Sequence, residues 1–218
     1  MSIIVPAIIP QSRNDLQDTL EIVRPFAKEI QVDVVDGIFV PFMSWPYGTE
    51  EKISDLAQWS KEFSIEMDLM VMNPEEVIEE YVKAGAKRIV VHIESTRHLN
   101  DIIKRYTKRD FMLGLSINND TELAPLMENL EKIDYVQCMG IAEIGSQGQP
   151  FDERVLERIH LIHEVAPDME IAVDGSVNHE TLSALHKVGV TRFAAGSAIL
   201  KAQNPEEAFR ELESMIAS

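Results

Sequence analysis

The chain of 218 residues has a single cysteine, Cys138, so no intrachain disulfide can staple it. Basic residues are scarce as well: 20 Lys and Arg against 37 Asp and Glu leave a net charge of −17. A surface this negative repels phosphate backbones and anionic headgroups over a Debye length, which argues against nucleic acid and membrane surfaces as partners. No apolar run approaches the ~20 residues of a membrane span. The opening residues Met1-Ser2-Ile3-Ile4-Val5-Pro6-Ala7 lack the charged region and cleavage site of a signal peptide. These absences predict a cytoplasmic protein. There is no low-complexity segment or long linker either, and a composition 45% hydrophobic and 26% charged is that of a globular chain. One compact domain over residues 1–218 is expected.

What is present is a regular alternation of short apolar, β-branched runs with amphipathic helical patterns. Strands are predicted at Ile3–Ile9, Ile30–Val35, Phe63–Val71, Arg88–Ile93, Phe111–Ile117, Tyr135–Ile141, Glu170–Asp174 and Arg192–Ala195, with a helical pattern after each. Asn73-Pro74-Glu75-Glu76 and Asn204-Pro205-Glu206-Glu207 each read as an Asn cap, a Pro at the first helical position and acids in the first turn. Gly85 and Gly189 read as left-handed helix ends just before the next strand. Eight βα units in this length predict a (β/α)8 barrel, an α/β fold, rather than an open doubly wound sheet of five to seven strands. In such a barrel the chemistry gathers at the C-terminal ends of the strands.

Carboxylates dominate those ends: Asp33 and Asp36, Asp68, Glu94 beside His92, and Asp174. The period of two places Gln31 and Asp33 on one face of their strand. Polar side chains inside apolar strands cost free energy unless paired or ligated, so Gln31, Asp33, Asp68 and Asp174 on separate strand ends point to a functional cluster. Crowded carboxylates cannot all ionise cheaply; a cation sits among them or a proton is shared. Two carboxylates on opposite sides of a substrate carbon can take a proton from one face and return it on the other, the chemistry of epimerisation. Glycine-containing loops form a second cluster: Gly145-Ser146-Gln147-Gly148-Gln149, Gly175-Ser176-Val177 and Gly196-Ser197-Ala198-Ile199, after the sixth, seventh and eighth strands. Loops of this kind cradle phosphate with backbone N–H groups, which suits an anionic ligand of an acidic protein. His92 and Glu94 are expected to form a hydrogen-bonded structural pair. The other histidines are expected on the surface, Cys138 in the core, and Trp45 closing over the site.

These residues resemble ribulose-phosphate 3-epimerases over nearly the whole chain. The resemblance is carried by Val32-Asp33-Val34-Val35-Asp36-Gly37-Ile38-Phe39-Val40-Pro41, Asp68-Leu69-Met70 with Asn73-Pro74, Lys83-Ala84-Gly85-Ala86, Val91-His92-Ile93-Glu94, Val173-Asp174-Gly175 and Ala195-Gly196-Ser197-Ala198-Ile199. It implies conversion of ribulose 5-phosphate to xylulose 5-phosphate, with Asp33 and Asp174 as acid and base. It implies a phosphate site at Gly145, Ser146, Gly148, Gln149, Gly175, Ser176, Gly196 and Ser197, and Met70 and Met139 beside the substrate. A small phosphorylated sugar is the implied ligand and a homo-oligomer the implied assembly.

The resemblance also implies a divalent metal shared by the two aspartates and two histidines, but Gln31 and Asp68 stand where those histidines would be. Family serines near the first strand are here Ala7 and Pro10, and the loop after the sixth strand gains Glu143. Gln31, Asp33, Asp68 and Asp174 make an oxygen-only set that favours magnesium or manganese over zinc; with no metal, the carboxylates share protons. The changes leave open an epimerase or isomerase of another phosphorylated sugar, or a non-catalytic phosphate-binding barrel that has lost its metal site. No lysine falls at a strand end, against a Schiff-base aldolase, and the Asp-x-Lys-x-x-Asp pattern of related decarboxylases is absent.

Overall fold

Alternation along the eight apolar runs turns one set of side chains toward the helices and the other into a ring. The strands are β1 (Ile3–Ile8), β2 (Glu29–Val35), β3 (Ser64–Met70), β4 (Arg88–His92), β5 (Met112–Ile117), β6 (Tyr135–Met139), β7 (Glu170–Asp174) and β8 (Arg192–Ala195). Each pairs in parallel with the next, and β1 pairs with β8 from Ile3↔Arg192 to Pro6↔Ala195, so the sheet closes into a barrel. The computed structural model describes residues 2–144 and 148–217. The expected (β/α)8 barrel is what forms, as a single unit, with strand ends shifted by no more than one or two residues.

The helices are α1 (Arg13–Val23), α2 (Ile78–Lys83), α3 (Leu99–Arg105), α4 (Ala124–Met127), α5 (Arg154–Val165), α6 (Leu182–Lys187), α7 (Ser197–Leu200) and α8 (Pro205–Ile216). They do not follow the strands one for one. The β2–β3 connection carries the 3-10 turn Ile53–Gln58, while β8 is followed by two helices. Asn204 caps α8 as expected, its side chain accepting from the Glu207 N–H. Asn73 does not act that way: it takes a left-handed backbone (φ 54°) and leads into the 3-10 turn Pro74–Glu76 with no side-chain cap. Gly85 and Gly189 are left-handed, at φ 105° and 98°, and end their helices as the sequence predicts. Among the described residues no helix is long and apolar enough to cross a membrane.

The two faces of the barrel wall differ in kind. The outer face supplies the main core, with Val32, Val34, Met67, Leu69, Val91 and Val173 packed beneath the helices. Cys138 belongs to that core, and burial pushes its thiol up to about 12, so it is an inert hydrophobe. The inner face is polar through much of its depth. At the N-terminal end of the barrel Glu66, wholly buried, accepts from Arg88 Nε at 2.7 Å and lies 2.8 Å from Arg192 Nε. Arg88 also pairs with Glu170, Arg192 Nη1 reaches Glu29 at 2.8 Å, and the Arg88 guanidinium lies over the Tyr135 ring at 3.9 Å. Removing one member of a buried ion network strands its partners. Glu66→Ala is expected to cost roughly 3–5 kcal/mol in urea unfolding, and wild-type stability in that variant would refute a structural role for the network.

Candidate active site

Going round the ring, β2 and β7 are separated by β8 and β1, so Asp33 and Asp174 approach each other only in the closed barrel. Gln31, two residues before Asp33 on the same face, joins them. Its Nε2 donates to Asp33 Oδ1 at 2.9 Å and to Asp174 Oδ2 at 3.2 Å. Asp68 is the register partner of Asp33 on β3 and is fully buried. Its Oδ1 lies 2.9 Å from His92 Nε2, and its Oδ2 accepts from Gln137 Nε2 at 2.9 Å. Asp33, Asp68 and Asp174 thus bring one oxygen each within 4.8 Å of one another, and the four polar residues picked from the sequence meet in one place.

This crowding sets the protonation. Burial, then the charges of Asp174 and Asp68, push the Asp33 carboxyl well above the usual range. Burial, then the charge of Asp68, lifts Asp174 from 3.8 to about 7. Burial alone would lower His92, but the charge and hydrogen bond of Asp68 outweigh it and hold the imidazole above its usual value. The sequence singled out His92 but paired it with Glu94. Glu94 instead accepts from the Asn118 N–H at 2.8 Å and the Thr121 hydroxyl at 2.6 Å, while His92 serves Asp68. Gln137 was missed, although the period of two from Tyr135 marks it as an inward polar residue.

Above the carboxylates lies a cavity at the C-terminal mouth. Asp33 and Asp174 line it with Met70 and Met139, and so do Gly148, Gln149, Gly175, Ser176, Gly196 and Ser197. Gly145 and Ser146, predicted for the same loop, lie outside the described residues. Gln31 and Asp68 stand beneath the cavity and do not line it. Gly175 is left-handed at φ 96°, and a Cβ there would meet Ile141 Cγ1 at 2.7 Å. The Ser176 hydroxyl donates to the Gln149 carbonyl at 3.0 Å and ties the loop after β6 to the loop after β7. Ala7, Ile141, Asn178 and Ala194 are also in the wall; sequence reasoning missed the last three, Ile141 and Ala194 because apolar residues carry no chemical signal and Asn178 because it lies beyond the glycine loop in a turn.

Three readings need correction. Trp45 does not close over the site: it is fully buried in the main core, its backbone N–H bonded to the Pro10 carbonyl at 2.7 Å. Asp36 is a loop fastener, accepting from the Ile38 and Phe39 N–H groups through Oδ1 and from Met72 N–H through Oδ2. His98, His160 and His179 are exposed as expected, whereas His163 and His186 are half-buried.

A closed eight-stranded parallel barrel with paired carboxylates and glycine loops at its C-terminal mouth is a (β/α)8 barrel whose polar cluster lies at the end where such barrels carry their active sites. The model of the ribulose-phosphate 3-epimerase family matches residues 3–200, and the chain belongs to that family. It is 30% identical over 200 residues to the ribulose-phosphate 3-epimerase of Aquifex aeolicus, spanning 90% of this chain and 88% of that one. It is 29% identical over 188 residues to the Schizosaccharomyces pombe enzyme of the same name, spanning 86% and 81%. Among solved structures it resembles a 3-hexulose-6-phosphate synthase (TM-score 0.73, 19% identity, all of both chains covered). It also resembles a KGPDC from Streptococcus mutans (TM-score 0.73, 17% identity, 98% and 96% covered); at these identities the two structures speak to the fold alone.

Family membership implies a divalent metal beside the carboxylates. By spacing, Asp33, Asp68 and Asp174 can bind one. Their hydrogen bonds are arranged otherwise: Gln31 turns a donor into the gap between Asp33 and Asp174, and both Asp68 oxygens already accept from His92 and Gln137. A cation meets repulsion from that amide nitrogen unless Gln31 turns its oxygen inward. As the side chains stand, the site does not fit the metal.

The carboxyl shifts make stability depend on pH with one sign. A carboxyl raised in the folded state contributes stability that is complete below its unfolded value of 3.8 and is lost as pH rises through about 7 for Asp174. Asp33 and His92, also raised, act in the same direction. Urea unfolding is therefore expected to give lower stability at pH 8 than at pH 5, with the loss clearly reduced in Asp174→Asn. An unchanged pH slope in that variant would show that Asp174 is ionised throughout.

Proposed function

We propose that the protein is a sugar-phosphate epimerase that interconverts ribulose 5-phosphate and xylulose 5-phosphate by proton transfer between two carboxylates. The observation that carries this reading is that Asp33 and Asp174, joined by one amide, line the same cavity as the glycine loops after β6, β7 and β8. The loops supply backbone N–H groups to the phosphate, as an acidic chain requires. The carbonyl end of the sugar then lies over the carboxylates. One carboxylate, ionised, removes the proton from the carbon beside the carbonyl. The C–H electron pair forms the C=C bond of an ene-diolate, and the carbonyl oxygen takes the negative charge. The other carboxyl, protonated, returns a proton to the opposite face of that carbon, so configuration inverts with no net oxidation.

Raised proton affinity at both aspartates supports this reading, because near neutrality the pair holds a proton that one member gives while the other accepts. Met70 and Met139 offer an apolar, adaptable wall to the sugar.

The test is proton NMR of ribulose 5-phosphate in deuterated water with purified protein. Exchange of the C3 proton is expected, falling about 10²–10⁴-fold in Asp33→Asn and in Asp174→Asn with their circular dichroism unchanged. No exchange with the wild-type protein, with or without added magnesium, manganese or zinc, would overturn the reading and leave a phosphate-binding barrel or an enzyme of another sugar phosphate.

A further inference from the structure

We propose that Gln31 is a positioning residue whose side-chain amide holds the Asp33 and Asp174 carboxylates in register, so that the pair assembles without a metal ion. The inference rests on the acid–base reading of these two aspartates. Its geometry is that of a bridge: one nitrogen, Nε2, lies 2.9 Å from Asp33 Oδ1 and 3.2 Å from Asp174 Oδ2. A primary amide is the neutral side-chain group that offers two hydrogens from one atom, and here both are engaged. An imidazole ring nitrogen donates at most one hydrogen, and none once it ligates a metal. A glutamine at this place therefore turns a donor toward two carboxyl oxygens, where a metal-ligating imidazole would turn an acceptor toward a cation.

The surroundings are built for that reach. Gln31 is 1% exposed, and its amide must cross in front of β1 and β8 to meet Asp174 on β7. The inward residues beside that path are Ala7, the register partner of Gln31, and Ala194, the register partner of Asp174. Side chains this small leave the way open. The third carboxylate is not waiting for a cation, since His92 and Gln137, both fully buried, occupy its two oxygens. Donors thus reach every carboxylate of the cluster from within the protein.

Manganese is the probe that tests this. The wild-type protein, freed of metals with a chelator, is expected to keep its melting temperature. It is expected to gain nothing from millimolar manganese and to show no stoichiometric binding by calorimetry or electron paramagnetic resonance. Gln31→Glu withdraws both hydrogens and adds a fourth carboxylate. Its melting temperature in chelator is expected to fall by roughly 5–10 °C and to recover with manganese bound stoichiometrically. Gln31→Met keeps the length, lacks the donor and remains foldable if Gln31→Glu does not. It is expected to lower kcat about tenfold or more with KM for ribulose 5-phosphate unchanged, while Gln31→Asn restores part of the loss. Stoichiometric manganese binding that raises the wild-type melting temperature would overturn the proposal, and so would proton exchange seen only after metal is added. An absence of exchange under every condition would instead sink the epimerase reading, with the melting and manganese-binding measurements still deciding whether Gln31 stands in for a cation.

Discussion

The parallel pairing of β1 with β8 is the contact on which the rest of the molecule depends. Four register pairs, from Ile3↔Arg192 to Pro6↔Ala195, convert an eight-stranded sheet into a ring. Ring closure brings β2 within one side chain's reach of β7, so that an amide on residue 31 touches a carboxylate 143 positions later in the chain. It also abolishes the sheet's edges and creates an interior whose contents must satisfy each other. An open sheet of the same strands would leave Asp33 and Asp174 far apart, and neither would have reason to hold a proton at neutral pH.

Charge compensation divides the interior into two halves. In the lower half Glu29, Glu66 and Glu170 meet the guanidinium groups of Arg88 and Arg192. In the upper half Asp33, Asp68 and Asp174 meet one imidazole and two carboxamides. Amides donate hydrogen bonds but carry no charge, so the upper half is short of positive charge and makes up the deficit with protons. That difference places the carboxyls of raised proton affinity at the mouth and the ion-paired groups at the far end. Asp68 accepts through both oxygens, and its charge is among the causes that raise the other two and His92.

An acidic molecule that receives a phosphorylated ligand has to do so without help from its overall field. In the proposed function the loops after β6, β7 and β8 meet this constraint with backbone groups; the Ser176–Gln149 bond fixes two of them against each other. The loop end and the carboxylate end of the cavity are built from different materials. Loops with left-handed residues such as Gly175 and Ser176 form the first, and strand side chains form the second.

The repeating βα pattern, the strand limits and the inward face of each strand follow from periodicities of two and near four, which are local properties of the chain. On that basis Gln31, Asp33, Asp68 and Asp174 were legible as buried polar residues in need of partners, and the glycine loops as elements of the barrel mouth. The choice of partners was not legible. Asp68 bonds His92 on the next strand and Gln137 three strands on, Glu94 turns to Asn118 and Thr121, and Trp45 folds into the core instead of over the cavity. Each of these depends on how far the ring is tilted and staggered, which no short window of sequence encodes. The sequence by itself determined which polar groups the barrel must enclose. Only the tertiary structure decided that they neutralise one another through shared hydrogens, because hydrogen bonds act over about 3 Å and only closure of the ring brings distant strands that near.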